Sequence, residues 1–140
     1  MPYNTIPIKK YTHIHDEKLA AAAITPGMLV SRTAADQVTP HATAGGENAR
    51  LFALEDENQG REIGTAYAIG ELVKVWHAQP GEQVYAIADD TASGAIVVGD
   101  RLESNGNGRL RKLAAGVPLA VALDAVTPGP TSPRFVVEIL

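Results

Sequence analysis

Apolar residues recur at every second position over short stretches of the chain, and each stretch is bounded by glycine, proline, asparagine or aspartate. Val73 and Val75 flank Lys74; Leu119, Val121 and Leu123 are spaced to share one face of a strand, and Phe135, Val137 and Ile139 another. Side chains alternate across a strand, so this spacing predicts half-buried β-strands. Between these stretches Asn105-Gly106-Asn107-Gly108 is a hairpin signal, and the proline-rich run from Thr127 to Pro133 reads as a stiff loop. About eight to ten short strands punctuated in this way predict an all-β fold: a β-sandwich, jelly-roll-like, or a small β-barrel.

One short motif recurs, a glycine followed two or three residues later by Val or Leu. It is seen at Gly27-Met28-Leu29-Val30, Gly70-Glu71-Leu72-Val73, Gly81-Glu82-Gln83-Val84 and Gly99-Asp100-Arg101-Leu102. Glycine supplies the positive φ of a tight turn, the acid that follows it in three of the four caps that turn, and an apolar strand begins. These are turn-to-strand junctions. None opens a helix or carries the Lys-Ser/Thr of a phosphate-binding loop.

The first 23 residues read differently. Pro2 and Pro7 bar a helix, and Tyr3, Ile6 and Ile8 favour extended backbone. Residues 1–23 are expected to form an extended N-terminal arm, with a short helical turn over 16–23 where Glu, Lys, Leu and alanines favour it and Pro26-Gly27 stops it. Fully extended, about 20 residues reach roughly 65 Å, enough to cross a subunit boundary. The β-domain is then 24–140, and removing residues 1–10 is expected to leave it folded. Trp76, the sole tryptophan, alternates with Lys74, which puts it on the less buried face of its strand, either as a partner contact or filling the core at a sheet edge. The arm residues Tyr3, Ile6, Pro7, Ile8 and Tyr11, together with Trp76, are the candidate partner contacts.

Composition narrows the function. The 140-residue chain is 45% hydrophobic and 20% charged, which suits one globular domain with one core. Its net charge of −4 works against phosphate-backbone binding, and its basic residues are not interleaved with aromatics, so no nucleic-acid partner is expected. The absence of cysteine excludes disulfides, thiolate metal sites and a cysteine nucleophile. No charged-then-apolar leader and no run near 18 apolar residues is evident, so no membrane partner is expected and the product should stay soluble where it is made.

Candidate chemistry is sparse. His13-Ile14-His15 could place two imidazoles on one side of an extended segment, but a third ligand would have to come from elsewhere, and two exposed residues around a buried Ile14 is the plainer reading. Asp56-Glu57-Asn58-Gln59-Gly60 has its glycine one place early for a calcium loop, and Tyr67 stands where the closing Glu belongs, so a turn explains it better. Ser31, Ser93, Ser104 and Ser132 lack nucleophile-elbow context, and Asp89-Asp90 reads as the start of a polar turn. The expectation is therefore a protein with no catalytic residue, metal, cofactor or small-molecule substrate.

The order of the motifs adds a family. Ile24-Thr25-Pro26-Gly27-Met28-Leu29-Val30 is followed by Leu51-Phe52-Ala53-Leu54-Glu55-Asp56, Tyr67-Ala68-Ile69-Gly70-Glu71-Leu72-Val73 and Pro80-Gly81-Glu82-Gln83-Val84-Tyr85-Ala86. Then come Val98-Gly99-Asp100-Arg101-Leu102-Glu103-Ser104, Asn105-Gly106-Asn107-Gly108-Arg109-Leu110 and Pro118-Leu119-Ala120-Val121-Ala122-Leu123-Asp124-Ala125. This succession, over 24–140, resembles the capsid cement (head decoration) proteins of tailed phages. The resemblance implies a non-catalytic virion protein, made in the host cytoplasm and bound to the outer capsid surface. There it would bridge and stabilise neighbouring major capsid proteins, as a homodimer or homotrimer. The alternative is a glycan- or host-surface-binding β module, for which Trp76, Tyr67 and Tyr85 are the available aromatic platform.

Overall fold

A computed structural model describes residues 2–11 and 14–140. The described chain is built almost wholly of strands: β1 (Pro7–Lys9), β2 (His15–Ala20), β3 (Val30–Ala34), β4 (Gln37–Pro40), β5 (Leu51–Ala53), β6 (Leu72–His77), β7 (Gln83–Ile87), β8 (Arg101–Ser104), β9 (Leu110–Lys112), β10 (Ala120–Ala122) and β11 (Arg134–Ile139). A single 3-10 turn, Glu57–Gln59, lies between β5 and β6 among the described residues, where the calcium-like run was read as a turn. The strands make two sheets, of order β1-β7-β11-β10-β8-β9 and β3-β4-β2-β6-β5. The all-β sandwich or barrel-like expectation therefore holds.

Both sheets curl back on themselves. In the five-stranded sheet, Ala53 of β5 donates to Met28 O (3.0 Å) and accepts from Gly27 N–H (2.8 Å), so β5 meets the chain entering β3. In the six-stranded sheet, Ala88, just after β7, bridges to Leu110 of β9. Such closure removes exposed sheet edges. β1 is an added strand outside it, and Pro7 and Lys9 blunt its free edge against further strand pairing.

The sheets share one core and the five-stranded sheet encloses a second. Phe52 and Trp76 project from β5 and β6 onto the inner face of the six-stranded sheet, joining Val84, Phe135, Val137 and Leu102. On the opposite side of the same two strands, Leu51, Ala53, Val73 and Val75 pack with Ala20, Val30, Val38 and Tyr67. This two-sidedness overturns the partner-contact reading of Trp76 and leaves core filling. Its face is open to solvent at Leu72 and half-covered at Lys74, but closed at Trp76, which has 0% exposure. In β10 the inward positions are Ala120 and Ala122, both buried, while Val121 and Leu123 are half-buried. The Phe135-Val137-Ile139 face is buried as read.

The N-terminal segment is not a free arm. β1 pairs with β7, Ile6 has 0% exposure, and Tyr85 N–H donates to Ile6 O (2.8 Å). Residues 16–20 form no helical turn: they belong to β2, which lies antiparallel to β6 through five paired positions and parallel to β4. Their alternating exposure fits a strand, and the pairing outweighs the helix propensity of Glu, Lys and Leu. Residues 2–11 and 14–23 are thus part of the β-domain.

The four glycine junctions share one geometry. The residue two before the glycine accepts from the residue after it: Thr25–Met28 (3.1 Å), Ala68–Glu71 (3.1 Å), Gln79–Glu82 (3.0 Å) and Val97–Asp100 (3.1 Å). The glycine φ values are +96, +87, +89 and +95°, which marks type II turns. The acid closes each turn from the other side: Glu71 accepts from Ala68 N–H (2.7 Å), Glu82 from Gln79 (2.6 Å) and Asp100 from Val97 (3.0 Å). In the first turn Met28 Sδ takes that place, 3.4 Å from Thr25 N.

Candidate interaction surface

Buried polar groups are the usual mark of chemistry, and here their hydrogen bonds tie the fold together. Glu55 accepts from Ile6 N–H (3.0 Å), and Glu82 from Tyr11 N–H (2.9 Å) as well as from Gln79. Two buried carboxylates thereby fasten the N-terminal strand. Glu103 receives Arg111 Nε (2.9 Å) and Gly116 N–H (2.7 Å). Burial pushes its carboxyl up, but bonds from Gly116, Arg111 and Ala114 outweigh burial and leave it below the ordinary value of 4.5. Asp89 behaves alike: burial raises it, and bonds from Asn105, Thr91 and Ser93 bring it below 3.8. It heads a polar turn, as read.

The one described histidine–serine contact, His41 with Ser104, is not accessible. His41 Nδ1 lies 2.7 Å from Ser104 Oγ, yet both residues are buried, at 5% and 0% exposure, and Ser104 Oγ also accepts from Gly106 N–H (3.1 Å). Burial lowers His41 below 6.5, against a backbone bond at Glu47. His77 is likewise held below 6.5, by burial and by Arg32, whose guanidinium lies 3.3 Å from Nε2. His13 lies outside the described residues, and Ile14, read as buried, is 50% exposed. Among the described residues no cluster of three or more His, Asp or Glu is arranged to hold a metal ion. No described helix is long and apolar enough to cross a membrane.

The candidate contacts separate into two groups. Ile6 and Trp76 have no exposed surface and cannot touch a partner of the folded protein. Pro7 and Ile8 are half-buried on β1. Tyr3 and Tyr11 are exposed, at 38% and 65%, but both are engaged within the fold. The Tyr3 ring meets Tyr85 edge-on at 5.3 Å, and the Tyr11 hydroxyl donates to Pro80 O. The aromatic platform of the glycan reading is not assembled. Tyr67 is buried and donates to Leu54 O (2.7 Å), with burial pushing its hydroxyl up to about 12; Trp76 is buried; and Tyr85 is half-buried under Arg134 (5.9 Å).

Sequence reasoning missed other apolar residues that face solvent. On the outer face of the five-stranded sheet Leu19 and Leu72 are directly paired across β2 and β6, at 38% and 55% exposure. Ile69, in the turn entering β6, is 72% exposed. A smaller pair, Val97 and Val98, occupies the turn entering β8. Beside Leu72 a shallow depression of about 150 Å³ is lined by Glu17, Asp56, Asn58, Gln59 and Lys74. The clue was present in the turns. At the position before glycine two of the four carry proline, Pro26 and Pro80, whereas the other two carry Ile69 and Val98.

These features define an all-β, two-sheet protein with a few exposed apolar side chains on its surface. No protein-family model and no curated protein sequence matches the chain. Among solved structures it is similar to the N base of the head fibre gp8.5 of bacteriophage phi29. The TM-score is 0.63 over 91% of this chain and 93% of that one, at 14% sequence identity. The two proteins share a fold.

Proposed function

We propose that this protein is a non-catalytic structural component of a tailed-phage virion that binds the outer capsid surface and stabilises it by bridging neighbouring major capsid subunits. The observation that carries this reading is the fold likeness, over nearly the whole of both chains, to the base of a phage head fibre. The ordered motifs from Ile24 to Ala125 support it independently, as does the use of the buried Glu55, Glu82, Glu103 and Asp89 to fasten main chain. On this reading the protein takes no cofactor, small-molecule substrate, nucleic acid or membrane, and its partners are the capsid protein and, as a homodimer or homotrimer, itself.

The mechanism is one of linkage. A subunit that binds only shell proteins held in register favours the assembled state by mass action. Many copies, each linked to others, act together on a regular array, so individually weak contacts suffice. Mixing the purified protein with undecorated heads and imaging them should show extra density at regular positions, and decorated heads should release their DNA at a higher temperature than bare ones. Heads that stay bare at saturating protein overturn the proposal.

A further inference from the structure

We propose that the buried His41–Ser104 pair shields both Asn-Gly bonds of the hairpin between β8 and β9 from spontaneous deamidation, and that Asn107 is the site where this modification enters the folded chain. The capsid reading is not needed for it. Asn105-Gly106-Asn107-Gly108 sets two such bonds within four residues. Asn-Gly is the dipeptide most open to this chemistry, because glycine has no Cβ to hinder its own nitrogen. The glycine nitrogen attacks the asparagine Cγ and a C–N bond forms. The glycine N–H proton departs with the carboxamide nitrogen as ammonia, and a succinimide is closed. Water then opens the ring at either carbonyl, leaving aspartate or isoaspartate. The attack requires a free glycine N–H and a carboxamide free to turn toward it.

The fold occupies both nitrogens. Gly106 N–H donates to Ser104 Oγ (3.1 Å), and Gly108 N–H to His41 O (3.0 Å). The two acceptors belong to one buried unit, with His41 Nδ1 2.7 Å from Ser104 Oγ. Leu29 extends it: His41 N–H donates to Leu29 O (2.9 Å), and Leu29 N–H to Gly108 O (2.8 Å), so Gly108 is bonded on both sides. Gly108 is also closely packed, since an added Cβ would lie 3.1 Å from Pro40 Cβ and 3.2 Å from Met28 Cβ. Freeing its nitrogen therefore takes a local opening of the hairpin.

The two carboxamides differ. Asn105 Nδ2 donates to Asp89 Oδ1 (2.9 Å), and Asn105 Oδ1 accepts from Asn107 N–H (2.7 Å) and Arg109 N–H (3.2 Å). Asn107 is exposed, and its carboxamide meets no partner among the described residues. Attack at Asn105 must break the Gly106 bond and release a carboxamide held at both ends. Attack at Asn107 needs only the Gly108 nitrogen.

The test ages the full chain in mildly alkaline buffer, folded and in denaturing guanidinium chloride, and follows each asparagine by peptide mass spectrometry. In the folded chain Asn107 should convert before Asn105, and at least about tenfold more slowly than in denaturant, as opening a bonded hairpin requires. Ser104→Ala, with Trp76 fluorescence as the check on folding, should raise conversion at Asn105 relative to Asn107 about fivefold, the worth of one hydrogen bond. Equal rates folded and unfolded overturn the shield, and Asn105 converting first overturns the site. An unchanged ratio in Ser104→Ala overturns the role of the pair. Where that variant does not fold, hydrogen exchange of the wild type decides: slow exchange at Gly106 and Gly108 N–H supports the shield, and fast exchange at either overturns it.

Discussion

At residue scale the turn before β6 sets stability against exposure. Position 69 follows the first residue of a type II turn, where φ near −60° suits proline, and the turn's own hydrogen bonds do not use its N–H. Ile69→Pro should therefore stabilise the fold by about 0.4–1 kcal/mol, chiefly by restricting the unfolded chain. Urea denaturation checks the sign, and a variant no more stable than wild type would show that position 69 does not have the backbone geometry proline requires. Glu103 carries a different expectation. Its carboxyl is held below the ordinary 4.5 in the fold, so its contribution is present above that value and is lost as pH falls through the depressed one. Asp89, held below 3.8, adds to the same acid loss. Urea midpoints should be flat near neutrality and fall below about pH 4. Glu103→Gln, which removes a charge-assisted pair with Arg111, should cost about 1–3 kcal/mol at pH 7, and its deficit against wild type should shrink at pH 3.

At the scale of elements the N-terminal strand is part of the structure it was expected only to extend from. Ile6 fills the core shared by the two sheets, so Ile6→Ala should cost about 2–5 kcal/mol, read as a lower thermal midpoint. Deleting residues 2–9 removes that side chain, the pairing with β7 and the Ile6 N–H that Glu55 accepts. The truncated chain should unfold at lower urea, and an unchanged midpoint would show that the strand is dispensable. Sequence made most of the strands legible, because β6 and β11 carry apolar residues at every second position and glycine turns announce the starts of β3, β6, β7 and β8. It failed at β2, whose residues favour a helix and become a strand only because β6 and β4 lie on either side. It failed at Trp76 for a related reason. Alternation gives the face of a side chain but not whether another sheet covers that face, and here one face is open at Leu72 and closed four residues later. The apolar surface was hidden by the same limit, since Leu19 and Leu72 look like core positions until their partners are known.

At the scale of the whole molecule, the two cores lie back to back on the same strands. β5 sends Phe52 into one and Leu51 and Ala53 into the other; β6 sends Trp76 into the first and Val73 and Val75 into the second. Ile87, at the end of β7 in the six-stranded sheet, belongs to the core of the five-stranded one. Loss of either core would strip one face from both shared strands, so neither sheet has an independent folded state to retreat to. Unfolding should therefore be a single cooperative transition. Trp76 makes this measurable, because the sole tryptophan reports the shared core while far-ultraviolet circular dichroism reports both sheets. Val73→Ala, a cavity in the second core alone, should shift the tryptophan transition and the dichroism transition together. Two separated midpoints would mean that the sheets melt as distinct units.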